Sequence, residues 1–218
     1  MKRKLILGLM LLALVMLAPL SCTEPKSGLE MESVPFITDI EIRDPETALQ
    51  YGMLGYVDIL LPSDAPETVH INRGETADIT ILLHFVSHVP ELTEIEVNID
   101  PKKSDYKMEQ CYVIEDAEGN IIERGVINVN ELISYSPNGT ITMETNQTLP
   151  ITMTICVPAD LPEGIMPTSF PVNPMGITAS VSAVDNPDIL SRVPPKYIED
   201  TMEIPAIVTV LLEVIFDG

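Results

Sequence analysis

Residues 68–86 read Thr68-Val69-His70-Ile71-Asn72-Arg73-Gly74-Glu75-Thr76-Ala77-Asp78-Ile79-Thr80-Ile81-Leu82-Leu83-His84-Phe85-Val86. Ala77, Ile79, Ile81, Leu83 and Phe85 recur at every second position, and Asp78, Thr80 and His84 fall between them, with Leu82 as the one exception. A side-chain period of two is the mark of a strand with one face in a core and one in water. Arg73-Gly74-Glu75 interrupts the pattern, and Thr68–Asn72 before it is β-branched and alternating. The stretch therefore predicts strand, turn, strand.

The same pattern extends in both directions. Tyr56–Leu61 is an apolar run of strand length, and Ile95–Asp100 alternates until Pro101 stops it. Met108–Glu115 and Ile121–Ile127 flank Asp116-Ala117-Glu118-Gly119-Asn120, whose Gly119 and Asn120 can supply the positive φ of a hairpin turn. Gly139–Glu144, Pro150–Val157, Gly176–Val184 and Ile207–Phe216 supply four more strands. Phe36–Arg43 also alternates, so residues 36–65 read as an added N-terminal strand pair. Pro45–Gln50 allows one short helical turn, and Asn128–Ser134 fits neither period. Prolines gather in 158–174 and 187–195, which predicts ordered but irregular loops. Short strands at near-regular spacing with hardly any helical periodicity predict an all-β antiparallel sandwich with extra N-terminal and C-terminal strands, one domain over residues 36–218.

Two segments carry a family resemblance. Thr68–Ala77 resembles the "strand, x-x-G-E-x, strand" opening of bacterial and archaeal cell-surface immunoglobulin-like domains. Ile151-Thr152-Met153-Thr154-Ile155-Cys156-Val157-Pro158-Ala159-Asp160-Leu161-Pro162-Glu163-Gly164 is similar to their late "alternating strand, V-P-x-x-L-P-x-G" segment. The two bracket roughly residues 66–184, and a Pro- and Met-containing insertion follows Gly164. The resemblance implies an extracellular immunoglobulin-like β-sandwich used as a spacer or adhesion module. It transfers no catalytic residue.

The N-terminus sets an address. Lys2, Arg3 and Lys4 precede an apolar run from Leu5 to Leu20, then Ser21-Cys22, and the chain turns polar at Thr23. This is the layout of a secretory signal. A cysteine at the junction resembles a bacterial lipoprotein leader, so residues 1–22 are expected to be a signal peptide with lipidation at Cys22. Pro19 stands where that pattern prefers leucine, so an uncleaved anchor and free secretion stay open. Residues 23–35, with Pro25, Gly28 and Pro35, read as a polar tether.

Composition narrows the partners. Of 218 residues, 33 are Asp or Glu and 12 are Lys or Arg, for a net charge of −21. Such a chain repels nucleic acid and anionic bilayers, so membrane attachment is expected through the N-terminal lipid anchor alone. With no Trp and ten Phe plus Tyr, the flat rings that stack on sugars are scarce.

Catalytic and metal patterns are weak. His84 and His88 would lie about 13 Å apart along a strand, too far to share a metal, and His70 stands apart. Asp116, Glu118 and Asn120 place oxygens at alternate positions like the start of a calcium loop. However, Ile121 and Ile127 occupy the positions where that loop needs Gly and Glu. A hairpin turn accounts for them better, and they are kept only as weak calcium candidates. No G-x-S-x-G, G-x-G-x-x-G or phosphate loop occurs. Asn138-Gly139-Thr140 and Asn146-Gln147-Thr148 match glycan acceptors of the kind that arise by chance. Strand phase places Cys156 with Thr152 and Thr154, away from the core set Ile151, Met153, Ile155 and Val157. It likewise places Cys111 with Glu109, Val113 and Glu115, opposite Met108, Tyr112 and Ile114. A Cys111–Cys156 disulfide then needs neighbouring strands or a loop distortion, and would contribute about 4 kcal/mol by chain entropy. Bonded and free both remain open.

The expected function is a non-catalytic surface protein of the cell envelope, a structural, adhesion or protein-binding module with no cofactor. The alternative is a ligand- or calcium-binding lipoprotein subunit of an envelope complex.

Overall fold

Strand β3 (Thr76–Ser87) is the longest element, and its burial follows the alternation. Ile79, Ile81, Leu83 and Phe85 are buried, while Asp78 and Thr80 are exposed. Each of those four side chains contributes about 2 kcal/mol by leaving water. β3 pairs antiparallel with β1 (Gly55–Leu60) on one side and β9 (Thr148–Cys156) on the other. The computed structural model describes residues 38–66, 68–103, 109–159, 169–172, 174, 176–209 and 212–217. Ile37–Gly218 is one unit by its internal contacts.

Two sheets build the core. The first runs β13-β1-β3-β9-β7, with β7 at Ile133–Ser136 and β13 at Ala206–Val208. The second runs β12-β11-β4-β8, from Thr201–Ile204, Ile177–Ser182, Glu94–Ile99 and Gly139–Glu144. Ile81, Phe85 and Met153 from the first sheet share one buried cluster with Val97, Met143 and Ala179 from the second. Two mainly antiparallel sheets over a common core form an immunoglobulin-like β-sandwich. A third sheet, β10-β14-β2 (Ser169–Val172, Leu212–Asp217, Thr68–Asn72), adds Val69, Ile71 and Val214 to the same core. β5 (Glu109–Glu115) and β6 (Ile121–Asn128) pair only with each other among the described residues.

The two segments that carried the resemblance meet. The Gly74 N–H donates to the Val157 carbonyl at 2.9 Å, and the Val157 N–H donates to the Glu75 carbonyl at 3.0 Å. Gly74 has φ +74°, and a Cβ there would lie 3.2 Å from that of Ala159. The x-G-E-x turn is thus a bracket around the end of β9.

Four expectations are corrected or extended by the structure. Phe36–Arg43 does not supply a strand in its described part: α1 spans Asp39–Arg43 and α2 spans Pro45–Gln50. Local caps override a short alternation here. Thr38 and Glu41 form a capping box, and the Asp44 carboxylate caps α2 by accepting from the Thr47 N–H at 2.9 Å, with Pro45 in the first turn. Ile40 is 81% exposed while Ile42 is buried, so the alternating pair shares no face. Second, the strand, turn, strand reading of 68–86 holds, and the turn joins strands of two different sheets. Third, 207–216 is not one strand. β13 pairs parallel with β1 and β14 pairs parallel with β2, which places the C-terminal segments in two sheets. Fourth, the expected loop at 158–174 contains β10 at its end, and 187–195 winds into 3-10 turns at Pro187–Arg192 and Pro195–Tyr197. Asn128–Ser134 resolves into a 3-10 turn at Val129–Leu132 and the start of β7.

Candidate functional site

The β5–β6 hairpin differs from the rest of the surface. Its register runs Glu109↔Asn128 to Ile114↔Glu123, then shifts by a bulge so that Glu115 faces Ile121. The turn is built on Asp116, whose carboxylate accepts from the Glu118 N–H (3.0 Å), the Asn120 N–H (2.7 Å) and the Asn120 side-chain amide (2.9 Å). Gly119 supplies φ +82°. Val113, Ile121, Ile122 and Val126 are 47%, 45%, 67% and 55% exposed. They are four of the seven large hydrophobics in that state among the described residues, so the apolar surface concentrates on this arm. Glu109, Glu115 and Glu118 are exposed around them.

The calcium candidates lie at the tip of this arm. Both Asp116 oxygens already accept hydrogen bonds, and Asn120 turns its amide nitrogen toward them. These bonds, led by the Asn120 side chain, hold the Asp116 carboxyl below its ordinary value of 3.8. The oxygens are committed to the turn, so millimolar calcium is expected to leave Tm unchanged. A calcium-dependent rise in Tm would contradict that assignment.

The histidines are separated by their partners. His84 Nδ1 lies 2.9 Å from Thr148 Oγ1. His88 donates from Nε2 to the Ile42 carbonyl at 2.7 Å and packs on Tyr56 with ring centroids 5.5 Å apart. Arg43 forks onto Asp58, Nη1 to Oδ2 at 2.8 Å and Nη2 to Oδ1 at 2.5 Å, with its guanidinium 5.0 Å from the Tyr56 ring centre. The Asp58 hydrogen bonds hold the Arg43 pKa above its ordinary value. These contacts fasten α1 to β1 and to the residue that follows β3 in the first sheet. They are structural, and sequence reading did not pair them because fifteen positions separate Arg43 from Asp58.

Cys156 is a free, exposed thiol opposite Thr76. Its strand β9 lies between β3 and β7, whereas β5, which carries Cys111, pairs with β6. The two strands are not neighbours in any sheet among the described residues. Cys22 and the tether lie outside the described residues. Among the described residues no group of three His, Cys, Asp or Glu is placed to hold a metal, and no helix is long and apolar enough to cross a membrane.

Two hollows lie on the surface of the described residues. An open groove of about 730 Å³ lies between the end of α2 and the β11–β12 edge, lined in part by Tyr51, Met53, Ser180, Tyr197, Glu199 and Glu203. A smaller one, about 310 Å³, is lined by Thr93, Glu94, Glu144 and Thr145. Glu94 and Glu144 are direct cross-strand partners, so like charges face each other. Glu144→Lys should therefore stabilise the protein by about 0.5 kcal/mol in urea melts, an effect that disappears in high salt.

Exposed carboxylates also set the acid limb of stability. The Thr38 backbone and hydroxyl hold Glu41 below 4.5, the Thr47 hydroxyl and N–H hold Asp44 below 3.8, and Arg192 holds Glu91 below 4.5. A carboxyl whose folded pKa is depressed contributes stability above its unfolded pKa and loses it as pH falls through the folded pKa. Tm should fall between about pH 5 and pH 2. Asp44→Asn, which can still cap α2 but cannot titrate, should make that fall shallower.

No family model matches the chain, and no curated protein matches it. By its own sheets it belongs to the class of immunoglobulin-like β-sandwich proteins. Among solved structures it is similar to a PapD-like domain of human CEP192, at 12% identity and TM-score 0.36, over 84% of this chain and 94% of that one. It is also similar to a family 123 glycoside hydrolase from Clostridium perfringens that acts on glycolipid glycans, at 10% identity and TM-score 0.31, over 74% of this chain and 27% of that one. A third is Spo0M, a sporulation control protein from Bacillus subtilis, at 13% identity and TM-score 0.22, over 58% of this chain and 40% of that one. At these scores the likeness carries no argument about what the chain does.

Proposed function

We propose that the chain is a non-catalytic module of the cell envelope, tied to a membrane through Cys22, that works by binding another protein. The observation that carries this reading is the hairpin arm, which spends four large apolar side chains on solvent although the sandwich already has its own core. A monomer gains nothing from that exposure, whereas a surface that meets a partner does. The leader supports the location. The acidic surface supports an exposed compartment and disfavours nucleic acid. The titratable groups whose pKa is displaced serve as caps, ion pairs and turn anchors, which supports binding over catalysis.

Photo-crosslinking residues placed one at a time at Ile40, Ile122 and Val184 in intact cells test the reading. A discrete protein adduct is expected, from a fraction whose N-terminal peptide carries an acylated Cys22. Absence of adducts from every exposed position, or turnover of a glycan or peptide library by the purified protein, would overturn it.

A further inference from the structure

Resting on the protein-binding reading, we infer that the β5–β6 arm takes a basic, apolar, extended polypeptide segment as its partner. Two independent features select that chemistry. The first is charge. Val113, Ile121, Ile122 and Val126 sit among the exposed carboxylates of Glu109, Glu115 and Glu118, and Arg124 is the only cation between Glu109 and Asn128. Exposed apolar side chains interspersed with acids fit a partner whose apolar residues are flanked by Lys or Arg, since like charges repel and opposite charges steer association. A second copy of this chain brings the same acids and a net charge of −21, so it is a poor occupant. An anionic bilayer is repelled for the same reason.

The second feature is the backbone. β5 and β6 pair only with each other among the described residues, so each turns its outer edge away from its partner. An isolated two-stranded ribbon is marginal in water, and a third strand both pairs an edge and covers a face. The segment that does this is extended.

The test uses the full mature chain and three labelled peptides: alternating Lys–Val, alternating Glu–Val and alternating Lys–Ser, followed by fluorescence anisotropy. Lys–Val should bind, and raising salt from about 50 mM to about 500 mM should weaken it. Glu–Val and Lys–Ser should bind at least about tenfold more weakly, because the first lacks the positive charge and the second the apolar side chains. Ile122→Ser with Val126→Ser should weaken Lys–Val about tenfold. Glu115→Gln with Glu118→Gln should weaken it and flatten its salt dependence. Both variants change exposed positions, and unaltered melting curves verify that they fold. Equal binding by wild type and both variants overturns the proposal. So does Lys–Ser binding as tightly as Lys–Val, self-association lost in Ile122→Ser with Val126→Ser, or preference for neutral phosphatidylcholine vesicles over the peptide. Crosslinks in cells from Ile40 or Val184 but not from Ile122 would sink this inference while leaving the protein-binding reading intact.

Discussion

Gly176→Ala should destabilise the protein by about 3 kcal/mol or more and lower Tm by about 10 °C. Gly176 stands at the entry to β11 with φ +70°, where an L side chain is strained. An added Cβ would lie 2.1 Å from the Asp100 carbonyl oxygen and 2.6 Å from Pro101 Cα. Both neighbours are backbone, so they cannot rotate away. The Asp100 N–H donates to the Gly176 carbonyl at 2.8 Å, which continues the β4–β11 ladder past Ile99↔Ile177. Making room for the methyl group pulls that end of the second sheet apart. Gly119→Ala is the control. It has a similar φ, +82°, with nothing within 4 Å of the new Cβ, so it should cost only about 1 kcal/mol of dihedral strain. Equal losses in the two variants would show that crowding at Gly176 is unimportant.

Arg43→Ala should cost about 3 kcal/mol, the toll of stranding the desolvated member of the pair. The Asp58 side chain is 10% exposed and that of Arg43 36%. The aspartate is therefore the member that cannot turn to water, and removing Arg43 leaves its carboxylate without the fork. Hydrogen exchange should show α1 losing protection before the strands of the first sheet, because the fork and the His88–Ile42 bond are what fasten it. Arg43→Met combined with Asp58→Leu should recover most of the loss, since an apolar pair of similar size needs no partner charge. A double variant as unstable as Arg43→Ala would mean that the pair itself, rather than the stranded charge, holds α1.

Legibility in the sequence tracked how local the deciding physics was. β3 and β9 were readable because one face of each enters a core and the other does not, and period two records that directly. The faces assigned to Cys156 and Val113 follow from the same period. α1 was misread because two isoleucines two apart imitate a strand, while the signal that wins, Thr38-x-x-Glu41, is a cap rather than a periodicity. The separation of Thr68–Asn72 from Thr76–Ser87 could not be read at all. A turn reports that the chain bends, whereas sheet membership is decided by which distant strand arrives alongside. The candidate site was half legible. The hairpin and its turn were plain in Asp116–Asn120 and the flanking runs. Its exposure was not, because Ile121 and Ile122 look like core residues until the packing around them is known.

The two parallel pairings carry a consequence for how the molecule comes into being. Val57 aligns with Ala206, and His70 with Ile215, so early strands complete their ladders only against residues far later in the chain. Contacts that span most of the chain are slow to form, because the loop must close before the contact is rewarded. A nascent chain that has emerged through β3 therefore holds β1 paired on one side only, to β3, and β2 without its ladder. Those open edges close only when β13 and β14 arrive, and until then the first and third sheets are incomplete.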